Sequence, residues 1–190
     1  YKKIVSHFDN TESIVLNSHE PKTPLDSKSI KNEFPNLLER MMFLDQITYL
    51  PDDILTKLDR ASMAVSLEAR VPFLDHRLVE FAWKIKPELK VDSGKGKLIL
   101  RNLLYQYLPK EMMERPKMGF AVPIDEWLRG PLENWANELL SETKIKKDGY
   151  FNSIIVKKLW EEHLSGKNNW QNQLWDILMF QMWLNTYHVN

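Results

Sequence analysis

Three groups of charged residues stand at spacings suited to an anionic substrate. The run Ser93-Gly94-Lys95-Gly96-Lys97 lies just ahead of Leu98, where helical periodicity resumes. Glycines let the backbone turn tightly and bare its amides, and a helix start attracts anions. Two lysines there oppose the helix dipole, at about 0.3–1 kcal/mol each when exposed. A phosphate held nearby would reverse that penalty, and Arg101, four residues after Lys97, would widen the positive patch. A solvated turn with both lysines free in water explains the same letters. The G-x-x-x-x-G-K-[ST] spacing of a P-loop is absent.

Asp53, Lys57 and Arg60 recur at i, i+4 and i+7 of a helical pattern. They form either a charged wall facing an anionic substrate, or an exposed Asp–Lys pair of about 0.3–0.5 kcal/mol beside a solvated Arg. Glu68 and Arg70 lie between Leu67 and the apolar Val71-Pro72-Phe73-Leu74. Charges among apolar neighbours tend to be paired. An internal Glu–Arg or Arg70–Asp75 bridge that fixes this loop is therefore expected before direct catalysis.

Other chemistries lack their residues. There is no cysteine, which removes disulfides, thiolate metal sites and a cysteine nucleophile, and suits a reducing cytoplasm. His7, His19, His76, His163 and His188 never take an H-x-x-H or H-E-x-x-H spacing, so no metal site is expected. No G-x-S-x-G elbow occurs. The 26 basic and 26 acidic side chains cancel, giving nucleic acid or an anionic membrane no electrostatic hold. No apolar stretch approaches the ~18–20 residues of a membrane span.

The elements that must position these groups read as helices. With 190 residues, 43% of them apolar, a real core is affordable. Residues 1–31 read as a variable connector with one short helix. From Glu33 the pattern Leu37, Leu38, Met41, Met42, Leu44 and Ile47 has helical spacing. Pro51 suits the first turn of the next helix, with Asp52 and Asp53 near its positive end. Ser93 to Gly96 reads as a breaker before a helix over 97–108, which Pro109 stops. Residues 115–123, with two prolines and a glycine, read as an ordered loop. Helices follow from Pro131 and around Ile154, and the segment 170–187, apolar nearly all round, reads as a buried central helix. No run alternates as strands do. The fold class is all-α.

The stretch Tyr49-Leu50-Pro51-Asp52-Asp53 through Asp75-His76 resembles the C-terminal part of the synthetase domain of glutamine-hydrolysing asparagine synthetases. So do Gly94–Arg101, Arg115-Pro116-Lys117-Met118-Gly119-Phe120 and Ile124–Pro131. The resemblance runs from about Asn32 to the C-terminus. It implies residues 32–190 are the helical C-terminal portion of an adenine-nucleotide α-hydrolase-like (PP-loop) synthetase domain. The implied reaction uses ATP and Mg²⁺ to convert the side-chain carboxylate of aspartate to β-aspartyl-AMP, releasing pyrophosphate. Ammonia from glutamine then displaces AMP to give asparagine. Lys97 takes the place of the family lysine that contacts phosphates and stabilises developing charge, the catalytic role. Asp53, Lys57, Arg60, Lys95 and Arg101 fall in the ATP- and substrate-binding region. Asp59, Glu68 and Arg70 match scaffold positions, and Lys117 and Phe120 a segment that closes over the intermediate as a lid.

Two family loops, S-G-G-x-D-S and S-G-x-G-x-D-E, are absent, as is the glutaminase cysteine. With Tyr1 rather than Met at the start, the expectation is a cytoplasmic fragment of a longer ligase, inactive alone. Its partners in cis would be the glutaminase and the PP-loop segment. An amidotransferase-ligase acting on another carboxylate, and a non-catalytic helical interaction module, remain alternatives. Oligomeric state stays open, a homodimer included.

Overall fold

The structure, a computed structural model, describes residues 1–114 and 122–187. The expected lid residues Lys117 and Phe120 lie outside the described residues. The chain divides into two compact units, one of 1–21 with 122–187, the other of 22–114. The division at 21/22 falls inside the stretch read as a connector.

The first unit holds α1 (Lys2–Val5), and the second α2 (Lys28–Glu33), α3 (Leu37–Ile47), α4 (Thr56–Met63) and α5 (His76–Lys84). The second continues with strands β1 (Val91–Asp92) and β2 (Lys95–Gly96), then α6 (Leu98–Leu104) and α7 (Lys110–Met113). The first resumes with α8 (Ile124–Leu128), α9 (Glu133–Leu139), α10 (Glu142–Asp148), α11 (Ser153–Leu164) and α12 (Gln171–Tyr187). Apart from one two-residue hairpin and a bridge at Val15–Phe151, the described residues are helices, turns and loops. The all-α class holds.

The first unit has a conventional core. Leu128, Val156, Leu174 and Leu178 have no exposed surface at all. Asn152 starts α11 by accepting from the amides of Ile154 and Ile155 (3.1 and 3.4 Å), the usual satisfaction of a helix start. Gly149, at φ 76°, ends α10 in the left-handed region and turns the chain into Tyr150 and Phe151. There the amide of Leu16 reaches the carbonyl of Tyr150, and the amide of Asn152 that of Ile14, both at 2.8 Å. Ile14 thereby enters the core, so part of the presumed connector is structural. The last helix is buried on one side only. Leu174, Ile177, Leu178 and Leu184 face inward, while Met179, Met182 and Trp183 are exposed. Its sequence is apolar on both sides, so periodicity could not say which side was covered.

The second unit is organised differently. Asn36 caps α3, accepting from the amides of Leu38 and Glu39 (2.9 and 3.3 Å). Phe34 stacks on Phe43 (4.6 Å), and both lie near Trp83 of α5, whose indole N–H donates to Gln46 Oε1 at 2.8 Å. Lys90 sits over the same indole at 5.4 Å. Among the described residues of this unit only Leu44 is buried. Val65, Phe73, Phe81, Leu103 and Tyr107 are more than half exposed.

Between α3 and α4 the chain does not begin a fresh α-helix at Pro51. Thr48 breaks regularity (φ −128°, ψ −79°), and residues Leu50–Leu55 form a π-helical turn. Pro51 has no N–H to give the ladder, and the Thr56 hydroxyl donates to the Pro51 carbonyl at 2.8 Å. Turns of this kind recur at functional sites, and this one carries Asp52 and Asp53.

Candidate functional site

The run Ser93–Lys97 is built as a hairpin rather than as a loose breaker. Ser93 and Gly94 both take positive φ (48° and 77°), as a two-residue hairpin turn with the right twist demands. Val91 pairs with Gly96 and Asp92 with Lys95. Gly94 is where the absent side chain matters; Gly96 lies in the strand. The segment breaks the chain ahead of α6, as read from the sequence, and does so as a tight hairpin. The expected helix over 97–108 is also shorter. α6 covers Leu98–Leu104, then turns follow, with the amides of Tyr105 and Leu108 bonded to the carbonyls of Arg101 and Leu104 at 2.9 Å. Seven residues give little macrodipole, so the cations there must act as side chains.

Lys97 sits at the junction of hairpin and helix with φ 62° and ψ 35°. Among the described residues four non-glycines have positive φ: Asn17, Ser66, Ser93 and Lys97. Lys97 is the one with a long side chain. A left-handed conformation costs an L-residue about 1–2 kcal/mol, and such strain collects at functional positions. The Leu98 amide bonds to the Lys90 carbonyl at 3.1 Å and the Arg101 amide to the Lys97 carbonyl at 2.9 Å, closing the junction from both sides. The Lys97 side chain is exposed and makes no ion pair among the described residues.

Lys95 and Arg101, expected to enlarge a free positive patch, are instead drawn together by an acid. Glu114, after α7, accepts from Lys95 Nζ (3.3 Å), Arg101 Nη1 (3.0 Å) and the Tyr105 hydroxyl. Arg101 Nε donates to the Gly96 carbonyl at 3.0 Å, fixing the guanidinium against the hairpin. The Tyr105 hydroxyl first, and then Lys95, hold the Glu114 carboxyl below the usual carboxylate range. Sequence reasoning missed Glu114 and Tyr105. The signal was slender: Arg101 and Tyr105 are four apart on one helix, and Glu114 comes only after an intervening Pro109.

On the π-helical turn and α4, Lys57 Nζ lies 3.0 Å from Asp53 Oδ1, a half-exposed i,i+4 pair. Arg60 is exposed, and Asp59 accepts from the Ser62 hydroxyl only through its backbone carbonyl (3.2 Å). No hydrogen bond or ion pair among the described residues joins this group to Lys95, Lys97 or Arg101. Arg70 grips Glu68 through Nε and Nη2, both at 3.2 Å, but at the surface rather than internally. Asp75 goes instead to Arg77, at 2.7 Å, and caps α5 through the Arg77 amide. The apolar residues flanking Glu68 and Arg70 are themselves exposed, and so the expected burial is missing.

A second polar group lies within the first unit, unannounced by any motif. His163 is fully buried; its Nδ1 accepts from the Trp170 amide at 3.2 Å, which leaves the proton on Nε2, 3.5 Å from Asp125 Oδ1. Arg129 pairs with Asp125 and donates from Nε to the His163 carbonyl at 2.6 Å. Burial, then the Arg129 charge, pushes the His163 pKa down. These bonds tie α8 to α11 and are structural.

The family model described as asparagine synthase matches residues 7–185. The chain belongs to the asparagine synthase family. It is 36% identical over 146 residues to the glutamine-hydrolysing asparagine synthetase 1 of Bacillus subtilis (strain 168), covering 77% of this chain and 23% of that protein. A putative asparagine synthetase of Mycobacterium tuberculosis (strain ATCC 25618 / H37Rv) is 37% identical over 146 residues, 76% of this chain and 22% of its own. The Homo sapiens enzyme is 26% identical over 197 residues, 87% and 33% respectively. No solved structure matches the chain. The chain thus spans about a quarter to a third of the length of these synthetases.

Among the described residues no three histidine or acidic side chains converge as a metal set. No helix of the described residues is long and apolar enough to cross a membrane.

Proposed function

We propose that the chain is the helical C-terminal part of a longer, ATP-dependent amide ligase that makes asparagine from aspartate, with ammonia taken from glutamine. Family membership supports the reaction class, and the short span relative to the synthetases supports the longer whole. In the first half-reaction an oxygen of the aspartate side-chain carboxylate attacks the α-phosphorus of ATP, and pyrophosphate leaves. In the second, ammonia attacks the acyl carbon, a proton is lost, and AMP leaves. Mg²⁺ would arrive with the nucleotide, as part of the substrate, and shield its charge.

The observation that carries the reading is Lys97: a strained, exposed cation at the hairpin–helix junction, without an ion-pair partner among the described residues. An ammonium that meets the charge growing during adenylation and breakdown lowers both barriers. Lys95 and Arg101 lie on the same short segment and would bind the phosphates. Asp53, Lys57 and Arg60 would line the nucleotide and aspartate region, with Asp59, Glu68 and Arg70 as scaffold. The PP-loop segment and the glutaminase would be supplied in cis. Such a ligase would work in the cytoplasm, where ATP, aspartate and glutamine are found together. Cell fractionation tests that placement.

The many exposed apolar side chains of the second unit, Val65, Phe73, Phe81, Leu103 and Tyr107 among them, agree with a chain that packs against further protein. The experiment is Lys97→Ala in the longer ligase, read as aspartate-dependent pyrophosphate release. A loss of about 10²–10³ in rate is expected for removal of one charge-stabilising donor. Unchanged release would refute the role. The 190-residue chain by itself should show no release, and a measurable rate would contradict its dependence on the rest.

A further inference from the structure

Glu114 completes a four-residue arrangement whose chemistry is that of an occupied anion site. One carboxylate accepts hydrogen bonds from Lys95 Nζ at 3.3 Å, from Arg101 Nη1 at 3.0 Å and from the Tyr105 hydroxyl. Two of the three donors have a further contact. Arg101 Nε is held by the Gly96 carbonyl at 3.0 Å, and Lys110 Nζ stands 5.8 Å from the centre of the Tyr105 ring. The Glu114 side chain is only 27% exposed. Lys97, one residue beyond Gly96, has no such counter-charge among the described residues.

We propose that Glu114 is a built-in competitor for the Lys95–Arg101 patch, a carboxylate that stands where a phosphate of the nucleotide or of pyrophosphate would bind. The idea rests on the ligase reading and deepens it. Carboxylate and phosphate oxygens accept from the same donors, and a polyphosphate brings more charge and more acceptors to them. Glu114 therefore keeps the two cations together and oriented while the site is empty. It also raises the threshold for weak anions: a single phosphate or a free carboxylate gains little by displacing it, whereas a polyphosphate gains more. The lowered Glu114 pKa agrees with this, since the competing group is then ionised at neutral pH.

The test uses the 190-residue chain and inorganic pyrophosphate at low ionic strength, measured by calorimetry. Glu114→Gln keeps the shape and removes the charge, and should tighten pyrophosphate binding about fivefold to tenfold. Arg101→Ala added to that variant should erase the gain. A second arm needs no variant: the carboxyl carbon of Glu114, followed by NMR in the wild-type chain, should titrate nearer the ordinary carboxylate value once pyrophosphate is added. Pyrophosphate that binds equally to wild type and Glu114→Gln, or that leaves the Glu114 titration unmoved, overturns the competitor while leaving the ligase reading intact. Failure of pyrophosphate to bind either protein overturns both the competitor and the phosphate role of Lys95 and Arg101.

Discussion

Replacing Lys97 by glycine separates the two things that residue does. Its φ of 62° and ψ of 35° place it in the left-handed region, where a side chain costs about 1–2 kcal/mol. Glycine removes that cost but gives the unfolded chain more freedom, worth about 0.5–1 kcal/mol in the opposite direction. The net expectation is a junction stabilised by about 0.5–1 kcal/mol, or a twofold to fivefold slower local opening. Alanine loses the amine yet keeps the strain, so it serves as the control. Amide hydrogen exchange across α6 reads the effect, most directly at the Arg101 amide that bonds the Lys97 carbonyl. In the longer ligase both variants should lose about 10²–10³ of aspartate-dependent pyrophosphate release. Glycine would thus give a better-ordered hairpin and a worse enzyme. Exchange in the glycine variant as fast as in the alanine variant would refute the strain; retained pyrophosphate release would refute the catalytic role.

The buried face of α12 should be the most sensitive part of the first unit. Leu174 has no exposed surface, so Leu174→Ala should cost about 2.7–5 kcal/mol, measured by urea unfolding with tryptophan fluorescence. Acid should weaken that unit in two stages. His163, with its pKa lowered by burial, takes up a proton more readily when unfolded, so stability falls as pH drops below about 6.5. The Glu162 carboxyl is drawn down to about 2, chiefly by the Trp170 and Asn168 donors at 2.9 Å. Its contribution is complete above 4.5 and is lost as pH falls from there toward 2. Denaturant midpoints across pH should show the second stage vanish in Glu162→Gln. In the isolated chain, amides of the second unit should exchange much faster than those of α11 and α12, because only Leu44 among its described residues is buried. Asp53→Asn should change stability by no more than about 0.5 kcal/mol, as measured by denaturant midpoint, since its partner Lys57 is exposed.

What could be read from the letters follows the range of the forces involved. Helices with a steady apolar period, such as α3 and α11, were legible because that signal is local; their caps, Asn36 and Asn152, were not read from the sequence although they too are local. The left-handed turn at Ser93-Gly94 is local too, but Gly-Lys-Gly-Lys hid a hairpin only two residues deep, below the length at which alternation is visible. The π-helical turn at Pro51 depends on how a broken ladder is repaired, which the residue types alone do not specify. Pairings across sequence were harder still. Asp53–Lys57 follows from spacing, whereas Glu114 reaches Lys95 across 19 residues and Arg101 across 13, with nothing in the pattern to join them. The membership of the family was legible because it rests on long ordered runs of residues rather than on any single contact.

The placement of Lys97 depends on very little of the chain. The Lys90 and Gly96 carbonyls, the two-residue turn and the first turn of α6 determine its backbone, and all lie within 90–105. A junction of that kind can form even where few side chains are buried, because its bonds close over short loops at small entropic cost. Catalysis asks for more, since an ammonium displaced by about 1 Å can lose on the order of a hundredfold in rate. Local hydrogen bonds set the direction of the backbone but leave a flexible four-carbon side chain free to sample many rotamers. The Glu114 carboxylate removes that freedom for Lys95 and Arg101 and leaves it to Lys97. On the proposed mechanism the division is useful: the two binding cations are ordered before the nucleotide arrives, and the catalytic one becomes ordered only against the charge it must stabilise.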